Sequence, residues 1–394
     1  MRHRNFRLFF FGQLVSLTGS WMQTTAQQWL AYRLTGSELS LGVITFASFA
    51  PVLVFSLFMG VIVDRFPRRR LLLLTQSWFM ILAFVLAWLT ATNQVTYTHL
   101  IILSLLLGMG NALDMPARQA FFSDLVGREE LLNAIALNSS VFNGTRIIGP
   151  ALGGLAVAVW GEASAFLLNG VSYLAVLLGL VGVRLVIPTS DHPPARGWEG
   201  LREGIAYLRA DRRLLGLVSM VALFSLVGYP YNVLLPALAR DTYGLGAEGF
   251  GALMSAMGVG ALVAGVSLAV RGEGRGKGRS LLLNRWLFCA GAGGLALAPS
   301  LPWALLALAV SGYAVITQLA ITNTLIQQTA PDHLRGRIIS GYTWALGGFW
   351  PLGALLMGWL GDRLGSPAAT GIAAAGSAVL ATLGLFWFPE TSEL

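Results

Sequence analysis

The segment "GVIVDRFPRRR" (Gly60–Arg70) carries an uncharged apolar run into one aspartate and four arginines within seven residues. Upstream of it no charge occurs back to Leu41. A run of that length crosses a ~30 Å hydrocarbon core as a helix, since each residue rises ~1.5 Å. Inside hydrocarbon the backbone must satisfy its own hydrogen bonds, so helix is the local structure. The arginines mark where that helix leaves the membrane, because basic residues are retained on the cytoplasmic side.

The same unit recurs along the whole chain. Of 394 residues, 55% are hydrophobic and 11% charged, whereas a soluble domain is about a quarter charged; mean hydropathy is +0.68. Twelve spans are expected near 6–32, 41–63, 71–91, 98–124, 132–158, 163–187, 214–239, 248–270, 281–298, 302–328, 337–361 and 368–388. With the N-terminus inside, cytoplasmic segments and flanks hold 22 of 26 basic residues. Arg33, Arg240 and Arg363 fall outside, and Arg146 is left within the membrane. That asymmetry places both termini in the cytoplasm. It also accounts for the net charge of +8 without a nucleic-acid partner. Trp29, Trp88, Trp160 and Trp303 at outer span ends, and Trp286 and Trp387 at inner ones, form the interfacial belt this layout requires.

Several function classes are excluded. The four histidines fall at loops or span ends, and no metal-spaced cluster or nucleophile motif appears. "GEGRGKGRS" lacks the spacing of a phosphate-binding loop. No enzyme activity, cofactor or metal is expected. The single Cys289 permits no intrachain disulfide. The N-terminal "MRHRNFRLFFFGQLVSLTG" has no small-residue cleavage site and reads as a retained first span.

The longest interruption, 188–213, begins Pro-rich and then repeats Trp198, Leu201, Ile205 and Leu208 at helical spacing among charges. It reads as a cytoplasmic linker with an amphipathic helix on the membrane surface. It divides the chain into six-helix bundles over 1–187 and 214–394. The halves echo one another: "GVIVDRFPRRRLLLL" is answered by "GVSLAVRGEGRGKGRSLLL", and Pro150 in span five by Pro351 in span eleven. The expected fold is an all-α membrane protein of twelve transmembrane helices in two pseudo-repeated halves, with a substrate site at the repeat interface.

Polar residues inside spans are costly unless they face a cavity or a partner. Span one carries Gln13, Ser16, Ser20, Gln23 and Gln27 on one stripe. Span four carries Asn111, Asp114 and Arg118 on one face, and span five Ser139, Asn143, Arg146, Pro150 and Gly153. Span ten carries Tyr313, Thr317, Asn323, Thr324 and Gln327. In span seven, "GYPYNVLLP" puts Pro230 between Tyr229 and Tyr231, beside Asn232, where the helix should break. Spans one, four, seven and ten therefore read as cavity-lining, and three, six, nine and twelve as lipid-facing. The competing explanation is that such residues join helices to one another. The expected cavity residues are Gln13, Ser20, Gln23, Gln27, Asn111, Asn143, Tyr229, Tyr231, Asn232, Tyr313, Asn323 and Gln327, with Trp344 and Trp350 of span eleven.

The loop after span two resembles the signature of the major facilitator superfamily, a glycine followed by an Asp-Arg pair and a basic cluster. The resemblance implies that Gly60 permits close helix approach, that Asp64 and Arg65 form the pair, and that Arg68 and Arg69 are the basic positions. Pro67 stands where the superfamily more often has glycine. Asp64 would belong to a charge network that latches the halves when the outside is open, with Arg68 and Asp124 as neighbours and Arg335 and Arg337 across the halves. Exposed pairs of this kind are worth only ~0–1 kcal/mol each, which suits a latch that must open.

"GTRIIGPALGG" in span five is similar to a second signature of the superfamily, that of its drug:proton antiporter branch, through Gly144, Gly149, Pro150, Gly153 and Gly154. "DMPARQAFFSDLV" and "GWEGLREGIAYLRADRRL" are similar to the enterobactin-exporter and macrolide-efflux group. At ~1.5 Å per residue, Arg146 lies roughly 20 Å and Asp114 roughly 15 Å from the inner ends of their spans. The two are expected to pair, with Asp114, Arg146 and Arg118 forming the proton-coupling group. The expected function is proton-coupled efflux of a small amphipathic molecule (drug, macrolide or siderophore-like) by a monomer working through alternating access. An uncoupled facilitator or importer of the same fold, and a lysophospholipid flippase, remain open alternatives.

Overall fold

The computed structural model describes residues 4–126, 131–183, 206–271, 276–331 and 334–388. Most of the 188–213 linker lies outside the described residues, which take up the helix again at 206–210. The long helices are α1 (Arg4–Thr35), α2 (Glu38–Arg65), α3 (Arg68–Ala91), α4 (Tyr97–Leu125), α5 (Leu131–Trp160) and α6 (Glu162–Gly182). They continue as α7 (Arg212–Val227), α8 (Ala247–Arg271), α9 (Lys277–Ala296), α10 (Leu301–Thr329), α11 (Arg335–Leu364) and α12 (Ser366–Trp387). Eight are long and apolar enough to cross a membrane by that measure alone. Polar residues hold α1, α5, α9 and α11 below it, for example Gln13, Gln23 and Gln27 in α1. Eleven of these helices match the expected spans to within five residues, whereas α7 ends at Val227, twelve residues before the expected end of span seven.

Local chemistry sets several of the helix ends. Ser37 caps α2, and Thr96 with His99 closes a reciprocal capping box on α4. Asp211 accepts from the backbone N–H groups of Arg213 (2.9 Å) and Leu214 (3.2 Å) and starts α7. Pro230 then stops regular helix, as expected: a 3-10 turn over Tyr229–Leu234 follows, then a short α turn and a π turn over Leu238–Thr242.

The chain forms two compact units. Unit 1 comprises Met1–Thr189 with Pro236–Ser255, and unit 2 comprises Ser190–Leu235 with Ala256–Leu394. In unit 1, α1 packs on α5 and α6, α2 on α4, and α3 on α4 and α6. Its core gathers Phe9, Phe79, Phe121, Tyr173 and Leu180. Unit 2 repeats the scheme with α7 on α11 and α12, and α9 on α10 and α12. Its core gathers Leu214, Leu217, Leu281, Leu325 and Ile338. The turns repeat as well. Gly36 (φ 62°) joins α1 to α2 as Gly244 (φ 64°) leads into α8, and Gly161 (φ 80°) joins α5 to α6 as Gly365 (φ 83°) joins α11 to α12. Glycine adopts a positive φ at no steric cost, so the same turn chemistry has been kept at both equivalent places.

The span-five motif is a packing device. A Cβ on Gly149 would sit 2.4 Å from Cβ of Trp21, and one on Gly153 2.8 Å from Cα of Met22, so α5 lies directly on α1. Gly154 faces the backbone of Ala247 and Gly251, at the start of α8 within the same unit. Pro150 removes a donor from the helix, and its own carbonyl abuts Gly251 while the Ile147 carbonyl accepts the Ser255 hydroxyl at 2.7 Å. Gly144 differs, because a Cβ there meets nothing within 4 Å. Gly153→Ala should therefore destabilise the protein by about 1–3 kcal/mol through overpacking, while Gly144→Ala should be neutral or slightly stabilising. Thermal unfolding of the detergent-solubilised protein separates the two.

Candidate functional site

Asp114 is 1% exposed, and helices of unit 1 surround its carboxylate with donors. From α3, the Thr75 hydroxyl donates at 2.7 Å and the Gln76 amide at 2.8 Å. From one turn further along α4, Arg118 donates through Nε at 3.0 Å and through Nη2. The remaining Nη1 of Arg118 donates to Gln13 of α1 at 2.5 Å. The spacing of four places both charges on one helix face, and the guanidinium supplies the opposite charge beside a buried carboxylate.

This arrangement corrects the expected pairing. The cation on Asp114 is Arg118, not Arg146. Arg146 lies on α5 with its guanidinium 5.9 Å from the centre of the Trp21 ring, within reach of a cation–π attraction. Arg146 is also not the sole arginine within the long helices, since Arg118 and Arg285 lie inside α4 and α9. The reading of α3 as lipid-facing leaves Thr75 and Gln76 out of the site. The adjacent pair "TQ" in an otherwise apolar run was the available signal.

The stripe on α1 turns inward, toward its own bundle. Gln23 is buried and accepts from Asn169 of α6 at 2.7 Å, and Gln27 is buried and donates to Ser104 of α4 at 2.7 Å. Ser20 lies 3.2 Å from the Tyr173 hydroxyl of α6. These residues join helices within unit 1, and Gln13 does the same through Arg118. In unit 2, Tyr231 is fully buried against Phe288, which corrects its reading as a cavity residue. Tyr229 is partly buried, with its ring 6.1 Å from that of Trp350. Trp344 is exposed beside Phe349. Tyr313 receives a hydrogen bond from Ser267 at 3.3 Å, and Gln327 donates to Asn323 at 2.5 Å. Asn111, Asn143 and Asn232 are partly buried on α4, α5 and the turn after α7.

At the charged loop, Arg68 binds Asp124 (2.5 Å) and the Ala120 carbonyl (3.2 Å). Arg69 donates to the carbonyls of Leu180 and Val181, both at 2.7 Å, and so satisfies the open end of α6. Asp64 and Arg65 are exposed and make no ion pair among the described residues. The expected Asp64–Arg68 contact is thus replaced by Arg68–Asp124. Arg335 and Arg337 lie in the first turn of α11.

A family model described as transmembrane secretion effector matches residues 1–393. The chain belongs to this family. It is a multi-pass membrane transporter of the major facilitator type, not an enzyme. The staphyloferrin A transporter of Staphylococcus aureus is 25% identical over 91% of this chain and 90% of its own length. The multidrug efflux pump Tap of Mycolicibacterium fortuitum is 26% identical over 91% and 89%. Macrolide efflux protein A of Streptococcus pyogenes is 25% identical over 92% of both. Among solved structures, the nucleoside transporter NupG superposes with a TM-score of 0.79 at 12% identity, covering 98% of this chain and 99% of that one. That last likeness concerns the fold alone.

The acid–arginine centre makes a stability prediction. Asp114→Asn and Arg118→Gln should each cost about 3–5 kcal/mol, because each leaves one buried charge unpaired. The double variant should cost clearly less than the sum. A double-mutant cycle of unfolding in detergent measures the difference.

Proposed function

We propose that this transporter exports a small amphipathic organic molecule in exchange for protons, by alternating access, with Asp114 as the proton-carrying group. The observation that carries the reading is the Asp114 centre: a carboxylate in the membrane interior with donors from α3 and α4 and a guanidinium within one turn. Protonation removes the charge that holds Arg118. The guanidinium, already shared with Gln13, is then released from α4 toward α1. The acid thereby couples a proton to a movement between two helices of one bundle. The arginine competes with the proton, so the site discharges again when it meets the side of lower proton concentration.

The substrate class follows from the aromatic and amide residues expected to line the path. Tyr229, Trp344 and Trp350 offer apolar faces, while Asn232, Tyr313, Asn323 and Gln327 offer neutral polar groups. Such a lining suits a bulky, partly apolar solute better than a small sugar or ion. The relatives named for multidrug and macrolide efflux support this class. We place the protein in a bacterial cytoplasmic membrane, like that of its bacterial relatives, with both termini inside on the strength of the arginine asymmetry.

The test is transport in proteoliposomes with an imposed pH gradient and a radiolabelled macrolide as probe. Wild-type protein should accumulate the probe only with the gradient. Asp114→Asn should abolish that accumulation yet retain binding of the macrolide and gradient-independent exchange. Full gradient-driven accumulation by Asp114→Asn would rule out the coupling role. Equal wild-type transport with and without the gradient would instead identify a facilitator.

A further inference from the structure

Unit 2 holds a second polar centre at the register the Asp114 centre occupies in unit 1. "LLLTQ" (Leu72–Gln76) of α3 is answered by "LLLNR" (Leu281–Arg285) of α9. Gln76 stands eight positions beyond the start of α3, and Arg285 eight beyond the start of α9. Asp114 stands seventeen positions into α4, and Gln318 seventeen into α10. The backbone confirms the register: Gly108 and Gly312, each eleven positions in, are both points of close helix approach, on the carbonyls of Ser48 and Met257. Arg285 and Gln318 thus replace Gln76 and Asp114.

The charge is reversed by this replacement. Where unit 1 has an acid neutralised by an arginine on the same helix, unit 2 has an arginine facing a neutral amide, and Thr322 stands where Arg118 would be. Arg285 lies about 12 Å into α9 at the rise of an α-helix, with its Nη1 over Gly384 of α12, 3.1 Å from where a Cβ would stand. Among the described residues it forms no ion pair and no hydrogen bond. With Gln318, Ser377, Phe224, Phe288 and Met220 it lines a cavity of about 20 Å³. Gln318 and Ser377 are 2% and 5% exposed, and their side-chain oxygens Oε1 and Oγ have no hydrogen-bond partner among the described residues. An isolated guanidinium in the membrane interior is strongly disfavoured, and buried polar groups are as a rule satisfied.

We infer that Arg285 is the centre of a binding site for one small monovalent anion, with the N–H groups of Gln318 Nε2 and the Ser377 hydroxyl as further donors. The guanidinium supplies charge and directed N–H groups. A cavity of this size accepts a single small ion or group and excludes a drug-sized molecule. A halide ion and a small carboxylate share the required chemistry.

The experiment is thermal unfolding of the full chain in detergent, titrated with chloride, bromide or acetate against gluconate, which is too bulky for the cavity, at constant ionic strength. Wild-type protein should gain roughly 2 °C per tenfold rise in anion above its Kd. A response to halides identifies an inorganic ion as ligand, and a response to acetate alone identifies a carboxylate. Arg285→Met should lose the response and unfold at a higher temperature than wild type in gluconate, having lost an unpaired charge. Gln318→Leu should need a several-fold higher concentration for the same gain, and it decides in the same way should Arg285→Met fail to fold. An unresponsive wild type, or a response that survives in Arg285→Met, overturns the inference. No transported substrate enters the measurement, so its outcome is independent of the proposed export.

Discussion

A side chain that can hydrogen-bond has no water to turn to inside a bilayer, and most of this structure follows from that constraint. Each polar residue placed in a helix must meet another polar residue on a neighbouring helix at a matching depth. The amides of α1 meet Asn169, Ser104 and Arg118, three residues on two other helices, and so fix how α1 lies against α4 and α6. Apolar packing alone would leave that alignment loose, because lipid tails compete equally well for an apolar face. The terminal carbonyls obey the same constraint, and Arg69 reaches from α3 to close the last turn of α6.

Small residues set how near those helices come. Gly149 and Gly153 let α5 rest on the backbone of α1, and Gly108 lets α4 rest on α2. Two units built on one plan, down to the left-handed glycines Gly161 and Gly365 in equivalent turns, can then carry different chemistry at the same address.

The fold was legible in the sequence because its determinants are averages. Span length, the arginine asymmetry and the proline in span seven each integrate over many residues or impose a local rule. Partner identity is a different kind of information. The polar stripe on α1 is plain in the sequence, but a stripe does not say whether it faces a cavity or a neighbouring helix, and burial turns Gln23 and Gln27 toward the bundle. Asp114 was singled out as an acid too deep to stand alone. Depth alone points to a partner on the next helix, while a guanidinium four residues along its own helix is already in reach. Thr75, Gln76 and Arg285 were passed over for the same reason: their helices are apolar on average, and a mean hydropathy conceals one residue on the buried face.

The unequal centres also bear on how the two units respond to the electrical potential across a membrane. In unit 1 the charges of Asp114 and Arg118 cancel within one turn of α4, so a field that acts along the membrane normal finds almost no net charge there. In unit 2 it finds the full charge of Arg285 whenever the site holds no anion. An elementary charge that crosses the whole membrane changes in energy by ~2.3 kcal/mol per 100 mV, and a charge that moves part of the way feels that fraction. Motion that changes the depth of α9 is therefore coupled to voltage while its site holds no anion, whereas the equivalent motion of α4 becomes so only when Asp114 is protonated.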